Sequence, residues 1–247
     1  QVTCNCFSIS DGELQDVGVG LYPSMSLLNH DCQPNCIMMF EGKRLTLRAV
    51  RVIRSAEELT ISYTDILAPS KDRRSQLQEQ YHFRCECKRC STEDKVTKLR
   101  WLLYCYNEFH LHFSHVLNFL IKDWDELLKE SQALLHRHSD VVPDRNIYML
   151  RLLDLAMDAC ISLDDYETAL EYGNRALGPY KLYFSDPHPS RAVELLRVGK
   201  LQHFLGRLEE ARGSFTQAYS IMSVTHGAAH ALTNQVQRRL SECQAEL

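Results

Sequence analysis

Three cysteines within six residues, in the segment 85–90 (CECKRC), constrain this chain more than any other feature. The residues between them are polar, which argues against a core segment, and Cys85 and Cys87 are too close for an easy mutual disulfide. A structural zinc site takes four ligands in a tetrahedron, so a fourth ligand must come from elsewhere. Cys32 is the natural candidate. A zinc ion on Cys32, Cys85, Cys87 and Cys90 would join two distant segments and couple metal binding to folding.

The remaining cysteines and the composition are those of an ordinary soluble protein. Five of the ten cysteines fall in two short clusters, and we interpret Cys36, Cys105, Cys160 and Cys243 as reduced core thiols of an intracellular protein. The chain has 247 residues, 45% hydrophobic and 24% charged, enough for one or two domains with a proper core. Its net charge of −4 gives no reason to expect bulk attraction to nucleic acid.

The stretch 29–36 (NHDCQPNC) is the centre of the first half of the chain. Its small polar residues, its proline and its thiols predict a loop whose side chains turn inward. We therefore expect short strands around it rather than long elements. The sequence predicts a strand within 1–17 with a turn at Asp11-Gly12, a turn-rich run 18–23, a hairpin of strands 37–41 and 44–53 with one buried face, a strand 59–63, and a polar helix 70–81 with Ser70 as its N-cap.

From about residue 96 the apolar residues follow a helical period of about 3.6. An internal repeat of 42 residues relates Trp124, Tyr166 and Leu208; Leu134, Ala176 and Ala218; Leu135, Leu177 and Tyr219; and His188 and His230. Ala211, Phe215 and Ala218 have the small-large-small pattern of a tetratricopeptide helix pair, although Gly173 stands where the preceding repeat needs a large residue. These features predict stacked helix pairs. A generic helical bundle is the alternative.

The stretch 99–121 is unusually rich in aromatic residues, leucine and histidine. A transmembrane helix needs about 20 apolar residues with few charges. Asn107, Glu108 and the histidines interrupt the pattern, so a membrane span is disfavoured. We expect a helix buried against the repeats, and a poorly folded exposed segment is the alternative.

Three motifs together resemble a known family. Asn-His-x-Cys-x-Pro-Asn at 29–35, Glu-Glu-Leu-Thr-Ile-x-Tyr at 57–63 and Cys-x-Cys-x-x-Cys at 85–90 look like the second half of a SET domain with its post-SET zinc site. With the helical half, the order resembles the SET-and-MYND protein lysine methyltransferases over nearly the whole chain, most specifically over residues 1–92. The resemblance also implies Cys32 as the fourth zinc ligand. It further implies that the first half of the SET domain and the MYND insertion lie outside this sequence.

The resemblance implies an α+β fold in three parts. Residues 1–68 would be the C-terminal half of the SET domain, which is rich in β-structure. Residues 69–95 would form the post-SET helix and its zinc-binding loop, and residues 96–247 an α-helical domain of tetratricopeptide-like repeats. The 99–121 stretch departs from the family, which usually has a polar, charged helix there.

The resemblance also implies an S-adenosylmethionine site and a lysine channel near these motifs. The cofactor-binding residues would be Asn29, His30, Ser26, Asn5 and Phe83. The catalytic residue would be Tyr63, with its hydroxyl near the transferring methyl group, and the channel walls would be Phe7 and Tyr81. The chain departs from the family pattern at Asp31, Gln33 and Ala56. Asp31 adds a negative charge beside the cofactor loop, and we hypothesise that it weakens cofactor binding.

The activity implied by the resemblance is protein-lysine N-methylation, with lysines of histones or signalling proteins as substrates and with cytoplasmic and nuclear localisation. The helical domain could receive the C-terminal peptide of the 90-kDa heat-shock chaperone, as the family's does. A different class of function is open: a non-catalytic interaction module, because part of the cofactor pocket lies outside this sequence. An acidic peptide would then need a basic groove drawn from Arg175, Lys181, Arg191, Arg197 and Lys200.

Overall fold

The computed structural model describes residues 5–92, 123–184 and 186–247 and confirms the α+β class. The stretch 99–121, with Cys105, lies outside the described residues. None of the described helices is long and apolar enough to cross a membrane. The strands are β1 (Cys6–Ser10), β2 (Asp16–Leu21), β3 (Asn29–His30), β4 (Cys36–Glu41), β5 (Arg44–Ala49) and β6 (Thr60–Ile61). They pair as β1 with β2 and β4 with β5, both antiparallel, and as β3 with β6 in parallel.

Two of the expected strand boundaries are wrong, and two strands, β2 and β3, were missed. Strand β3 lies in the stretch 29–36, which was expected to be a loop. The run 18–23 was expected to turn, but strand β2 occupies most of it. Gly20 permits close packing there, because a Cβ atom would lie 2.8 Å from the Tyr22 ring and 3.1 Å from Ile9. Strand β5 ends at Ala49, short of residue 53, and β6 covers only two residues of the predicted strand 59–63. The carboxylate of Glu57 organises the intervening loop, accepting the Arg54 N–H at 3.0 Å and pairing with Arg51 at 2.5 Å.

The predicted polar helix is confirmed as α1 (Ser70–Tyr81), and a short helix α2 (Lys88–Ser91) follows it. Its predicted cap is wrong: Pro69 occupies the N-cap position, and Ser70 is the first helical residue. Ser70 is buried, and its Oγ accepts a hydrogen bond from Nη2 of Arg73 at 3.0 Å. The serine therefore serves a buried guanidinium rather than the helix end.

The 42-residue repeat is confirmed by where the later helices begin. These are α3 (Trp124–His138), α4 (Ile147–Ser162), α5 (Tyr166–Tyr183), α6 (Pro189–Phe204), α7 (Leu208–Met222) and α8 (Ala231–Glu246). Helices α3, α5 and α7 start 42 residues apart, and so do α4, α6 and α8. Side chains at the repeat-related positions Asn146, His188 and His230 accept backbone N–H groups at the starts of α4, α6 and α8. The same kind of N-terminal capping interaction thus recurs in each helix pair.

The cores of the helix pairs are apolar and closely packed. One buried cluster joins α4, α5 and α6 through Met157, Cys160, Ala169, Leu170, Val198 and Leu201. Gly173, the apparent exception to the repeat pattern, lies against this cluster, where a Cβ atom would come 2.8 Å from Val198 and 3.0 Å from the sulfur of Met157. Close helix approach therefore replaces a large side chain at this position. Cys36, Cys160 and Cys243 are buried free thiols, as expected.

The chain divides into two compact units that do not follow the order of the sequence. The first comprises residues 1–97, 184–193 and 217–239, and the second 98–183, 194–216 and 240–247. Within the first unit, the ring of His226 contacts the Gly12 carbonyl through Nε2 at 3.0 Å, and Arg48 donates to the Val224 carbonyl at 2.7 Å. The boundaries at 68/69 and 95/96 stay predictions.

Candidate metal centre and its aromatic neighbours

Four cysteine sulfurs converge in the first unit. The sulfur atoms of Cys32, Cys85, Cys87 and Cys90 all lie within 4.8 Å of one another. Cys32 is 4.0 Å from Cys85 and 3.6 Å from Cys90. A tetrahedral ion with metal–sulfur bonds of about 2.3 Å holds its sulfurs about 3.8 Å apart, so the spacing fits such an ion. The four thiols could therefore hold a metal ion.

Two segments carry these cysteines, and each is fixed by its own hydrogen bonds. Cys32 follows β3, whose pairing with β6 is continued by the Asp31 N–H donating to the Ile61 carbonyl at 3.0 Å. Cys90 lies in α2, and Arg74 of α1 donates to its carbonyl at 2.6 Å. Helix α1 thus fastens the second segment beside the loop that carries the first.

A buried arginine lies against the sulfurs. Arg73 has 0% exposure, and its Nε donates to the sulfur of Cys32 at 3.3 Å, while Nη2 lies 3.7 Å from the sulfur of Cys90. Its guanidinium also donates to the Ala68 carbonyl and to Ser70 Oγ. The polar composition of residues 70–81 alone did not indicate that this arginine is buried while its neighbours are more exposed. The spacing of Arg73 and Leu77, both fully buried and one helical turn apart, is the signal that could have found it.

Asn35 is the second residue whose importance the motif did not explain. Asn35 is 1% exposed, and its side chain connects the loop 29–36 to the start of strand β6. Its Nδ2 donates to the Glu58 carbonyl at 2.7 Å, and its Oδ1 accepts the Thr60 N–H at 2.8 Å. A buried amide with both ends occupied fixes the register of these two segments.

Aromatic rings surround the same place. The ring of Tyr63 lies 4.7 Å from that of Tyr81 and 5.3 Å from that of His30, measured between centroids. Phe83 approaches both His30, at 6.0 Å, and Tyr63, at 6.5 Å. Tyr63, Tyr81 and Phe83 also pack against the buried cluster of Cys32, Leu77, Cys85 and Cys90. Four of the predicted site residues are thus brought together next to the predicted metal ligands.

Burial determines the charge of His30, and its hydrogen bonds determine which ring nitrogen carries the proton. Burial lowers the pKa of His30 to about 4, so its ring is neutral near pH 7. Nδ1 lies 3.0 Å from the Tyr63 N–H and must accept it, so the ring proton lies on Nε2, 3.2 Å from the sulfur of Cys32. Both ring nitrogens are therefore engaged inside the site, and the contact of His30 with adenine stays a prediction.

Tyr63 is held at both ends. Its backbone N–H is bonded to His30, and its hydroxyl donates to the Leu28 carbonyl. Burial raises the pKa of the Tyr63 hydroxyl, so the phenol is neutral near pH 7. Because the hydroxyl donates its hydrogen to the Leu28 carbonyl, the lone pairs of the Tyr63 oxygen stay open to an approaching donor.

The remaining predicted residues lie on neighbouring elements. Asn29 donates from Nδ2 to the Glu58 carboxylate at 2.6 Å, and Ser26 donates to the Tyr22 carbonyl at 3.3 Å. Phe7 packs edge to face on the ring of Tyr22, with centroids 6.1 Å apart. Asn5 immediately precedes β1. The roles predicted for these four residues stay predictions.

Comparison with known proteins identifies the relatives of this chain. A family model described as the SET domain matches residues 3–64. Histone-lysine N-methyltransferase SMYD3 of Mus musculus and of Homo sapiens is 43% identical over 258 residues, covering 100% of this chain and 58% of each relative. N-lysine methyltransferase SMYD2 of Homo sapiens is 32% identical and covers 97% of this chain. The chain thus spans 58% of the length of the curated relatives that it matches.

Among solved structures, a Podosopora anserina protein with nearly identical TPR-like repeats is 14% identical over 57% of this chain and 65% of its own. Its TM-score of 0.42 is too low to support an argument about the fold. The helical repeat of this chain rests instead on the 42-residue recurrence of its own helices and caps.

Proposed function

Because this chain belongs to the SET-and-MYND family of lysine methyltransferases, we propose that it carries the cofactor-binding and lysine-binding part of a protein-lysine N-methyltransferase. The family relation supports the reaction class. The side chains around Tyr63 support the place where the reaction occurs. Residues 1–92 would carry the chemistry.

The proposal rests on one observation above all: Tyr63 is fixed at both ends, with its backbone N–H on His30 and its hydroxyl on the Leu28 carbonyl. A catalytic hydroxyl must be held in place before the substrate arrives, since catalysis by alignment depends on preorganised geometry. The Tyr81 ring, 4.7 Å away, limits the movement of the Tyr63 ring.

The chemistry requires a neutral lysine amine aligned for a one-step displacement. When bound, S-adenosylmethionine supplies the methyl group. We propose that Tyr63 orients the amine by accepting one of its N–H groups, and that Tyr81 and Phe7 contact the apolar stem of the lysine. Aromatic walls exclude water and so favour the uncharged amine. Asn29, His30, Ser26, Asn5 and Phe83 would hold the cofactor.

We propose zinc as the ion of the four-cysteine centre. Four thiolates in a tetrahedron suit zinc, and they leave no open coordination position for catalysis. The centre would then be structural, joining the loop of Cys32 to the segment of Cys85, Cys87 and Cys90 beside the aromatic cluster. Its role would be to hold Phe83 and Tyr81 near Tyr63.

The proposed activity is tested by methyl transfer from radiolabelled S-adenosylmethionine to histone and to a lysine peptide. Tyr63→Phe removes only the hydroxyl, and it should abolish transfer while the protein stays folded. Tyr22→Phe is the matched control, because the Tyr22 hydroxyl also donates to a backbone carbonyl, that of Lys43 at 2.7 Å. Equal transfer by the wild type and Tyr63→Phe would contradict the assignment.

A non-catalytic interaction module is the second candidate, and the ion pairs give it less support. Arg175 pairs with Asp144 at 2.8 Å, Arg191 pairs with Asp186, and Arg197 pairs with Asp158. An acidic peptide would have to displace these carboxylates, since each guanidinium already has a partner. Titration of the chain with the C-terminal peptide of the 90-kDa heat-shock chaperone tests this candidate directly.

Substrates and location follow the family as proposals. The relatives are a histone-lysine and an N-lysine methyltransferase, so we propose lysines of histones or of other proteins as substrates. A protein with both substrate classes would be cytoplasmic and nuclear. Imaging of a tagged protein tests the location, and exclusion from both compartments would contradict it.

A further inference from the structure

Arg73 is buried in a way that calls for an explanation. It projects from α1 with 0% exposure, and a buried guanidinium is costly unless opposite charge and hydrogen-bond acceptors surround it. Its neutral acceptors include the Ala68 carbonyl and Ser70 Oγ. It also donates to two sulfurs of the four-cysteine cluster: Cys32 at 3.3 Å and Cys90 at 3.7 Å.

The four sulfurs, when they bind a metal ion, carry a negative charge that requires compensation. Metal ions bind cysteine as thiolate, and four thiolates around a divalent ion leave a net charge of about −2. Cys32, Cys85 and Cys90 are buried, so water cannot solvate that charge. A guanidinium within hydrogen-bond distance of two sulfurs would halve the net charge and donate to a lone pair of each, beside the donor that His30 already offers to Cys32.

We propose that Arg73 is a positioning residue of the metal centre: its guanidinium compensates the charge of the metal–thiolate cluster and fixes the sulfurs of Cys32 and Cys90. The inference rests on metal binding by the four cysteines and is independent of methyl transfer. Partners outside the ligand shell typically change metal affinity by about 10–100-fold, and we expect an effect of that size.

Arg74 provides a matched control on the same helix. It donates to backbone carbonyls of the same segment, at 2.6 Å to Cys90 and 3.4 Å to Cys85. Arg74 therefore fastens the chain without touching a sulfur in these contacts. A residue that acts only by holding the loop should behave like Arg74, whereas a residue that acts on the metal–sulfur bonds should not.

The test uses the full 247-residue chain, as wild type, Arg73→Gln, Arg73→Lys and Arg74→Gln. Zinc affinity is measured by competition with a chromophoric chelator, and cobalt substitution gives the sulfur-to-cobalt charge-transfer bands. Donors on a thiolate lower the energy of its lone pairs. Loss of Arg73 should therefore move the bands to longer wavelength and weaken zinc binding about 10–100-fold. Arg73→Lys, which keeps the charge with fewer donors, should fall between.

Each result decides a different point. No zinc binding by the wild type would contradict the metal centre itself. Zinc binding by all variants, with unshifted bands in both Arg73 variants, would overturn the role of Arg73 and leave the metal centre standing. An equal band shift in Arg74→Gln would also overturn it, because the effect would then come from the loop. If Arg73→Gln does not fold, Arg73→Lys decides: wild-type affinity and wild-type bands would overturn the proposal.

Discussion

The region around the four cysteines and the helical repeats are stabilised in different ways. In residues 29–92 the paired strands β3 and β6 have two residues each, and side chains such as Asn35 and Arg73 make the connections. In the repeats, long helices bury apolar side chains such as Met157 and Leu153 completely. The first region depends on a few specific polar bonds and an expected metal ion, and the second on apolar area. The two regions should therefore respond to different perturbations.

Metal removal should have the largest effect, and it should separate the two regions. Chelation of the zinc-loaded chain removes the ion that is expected to join the Cys32 loop to the 85–90 segment. Binding of a structural zinc ion contributes about 10 kcal/mol or more to folding. Hydrogen exchange should accelerate in residues 29–36 and 81–92 and stay slow in α4 and α5. Uniform acceleration along the chain, or none, would contradict the comparison.

The reverse perturbation is a cavity in the repeats. Met157→Ala removes a side chain with 0% exposure from the cluster of α4, α5 and α6, and should lower the free energy of unfolding of the repeats by about 2–5 kcal/mol. Chemical denaturation followed by circular dichroism measures it. Leu182→Ala is the control, because Leu182 is 61% exposed. Similar losses in both variants would show that the α4–α6 cluster is not the stabilising core.

A pH dependence is expected in the repeats from their buried carboxylates. Burial raises the pKa of Glu194 to about 7 and the pKa of Asp154 well above its usual value. Oε1 of Glu194 and Oδ1 of Asp154 are buried without a hydrogen-bond partner among the described residues. Asp158 and Arg197 also face Glu194, and Tyr180 donates to Asp154. The folded state thus holds protons that the unfolded state has released.

The sign follows from proton linkage. Between the unfolded pKa of Glu194, about 4.5, and its folded pKa of about 7, the folded state binds more protons, so stability falls as pH rises. Unfolding free energy should drop on the order of 1–3 kcal/mol between pH 5 and pH 8, and Glu194→Gln should flatten the slope. Glu171→Gln, an exposed site on α5, should leave the slope unchanged. A slope that survives in Glu194→Gln would exclude Glu194 as its main source.

A polar deletion in the cysteine region should have a smaller effect, confined to that region. Asn35→Ala loses the bonds to the partly buried Glu58 carbonyl and Thr60 N–H, at a cost of about 0.5–1.5 kcal/mol for each bond. Faster hydrogen exchange at Thr60 would report it. Asn174→Ala, on an exposed face of α5, is the control. Unchanged exchange at Thr60 would mean that Asn35 does not fix the register.

Periodic and local features could be predicted from the sequence. The 42-residue repeat matches the helix starts, and the predicted helix 70–81 has the bounds of α1, because both depend on patterns along one segment. The four cysteines come together as their spacing and the family resemblance implied. These features need no knowledge of what packs against them.

The rest depends on partners far apart in sequence. Ser70 is a residue type that is common at N-caps, but it accepts a hydrogen bond from Arg73. Gly20 is a residue type that is common in turns, but it lies against the ring of Tyr22. The buried Arg73 donates to the sulfur of Cys32, a residue 41 positions away in the sequence. Such contacts are invisible to propensity, since the same residue types occur in turns and on exposed helix faces.

The central claim, a cofactor site beside the four-cysteine centre, is tested most directly by calorimetric titration of the zinc-loaded chain with S-adenosylmethionine. We expect saturable binding that is lost in Asn29→Ala and kept in Glu58→Gln, which changes only the partner of Asn29. Absence of binding by a folded, zinc-loaded chain would contradict the claim for this chain, and the helical repeats would then be the place to look for its function.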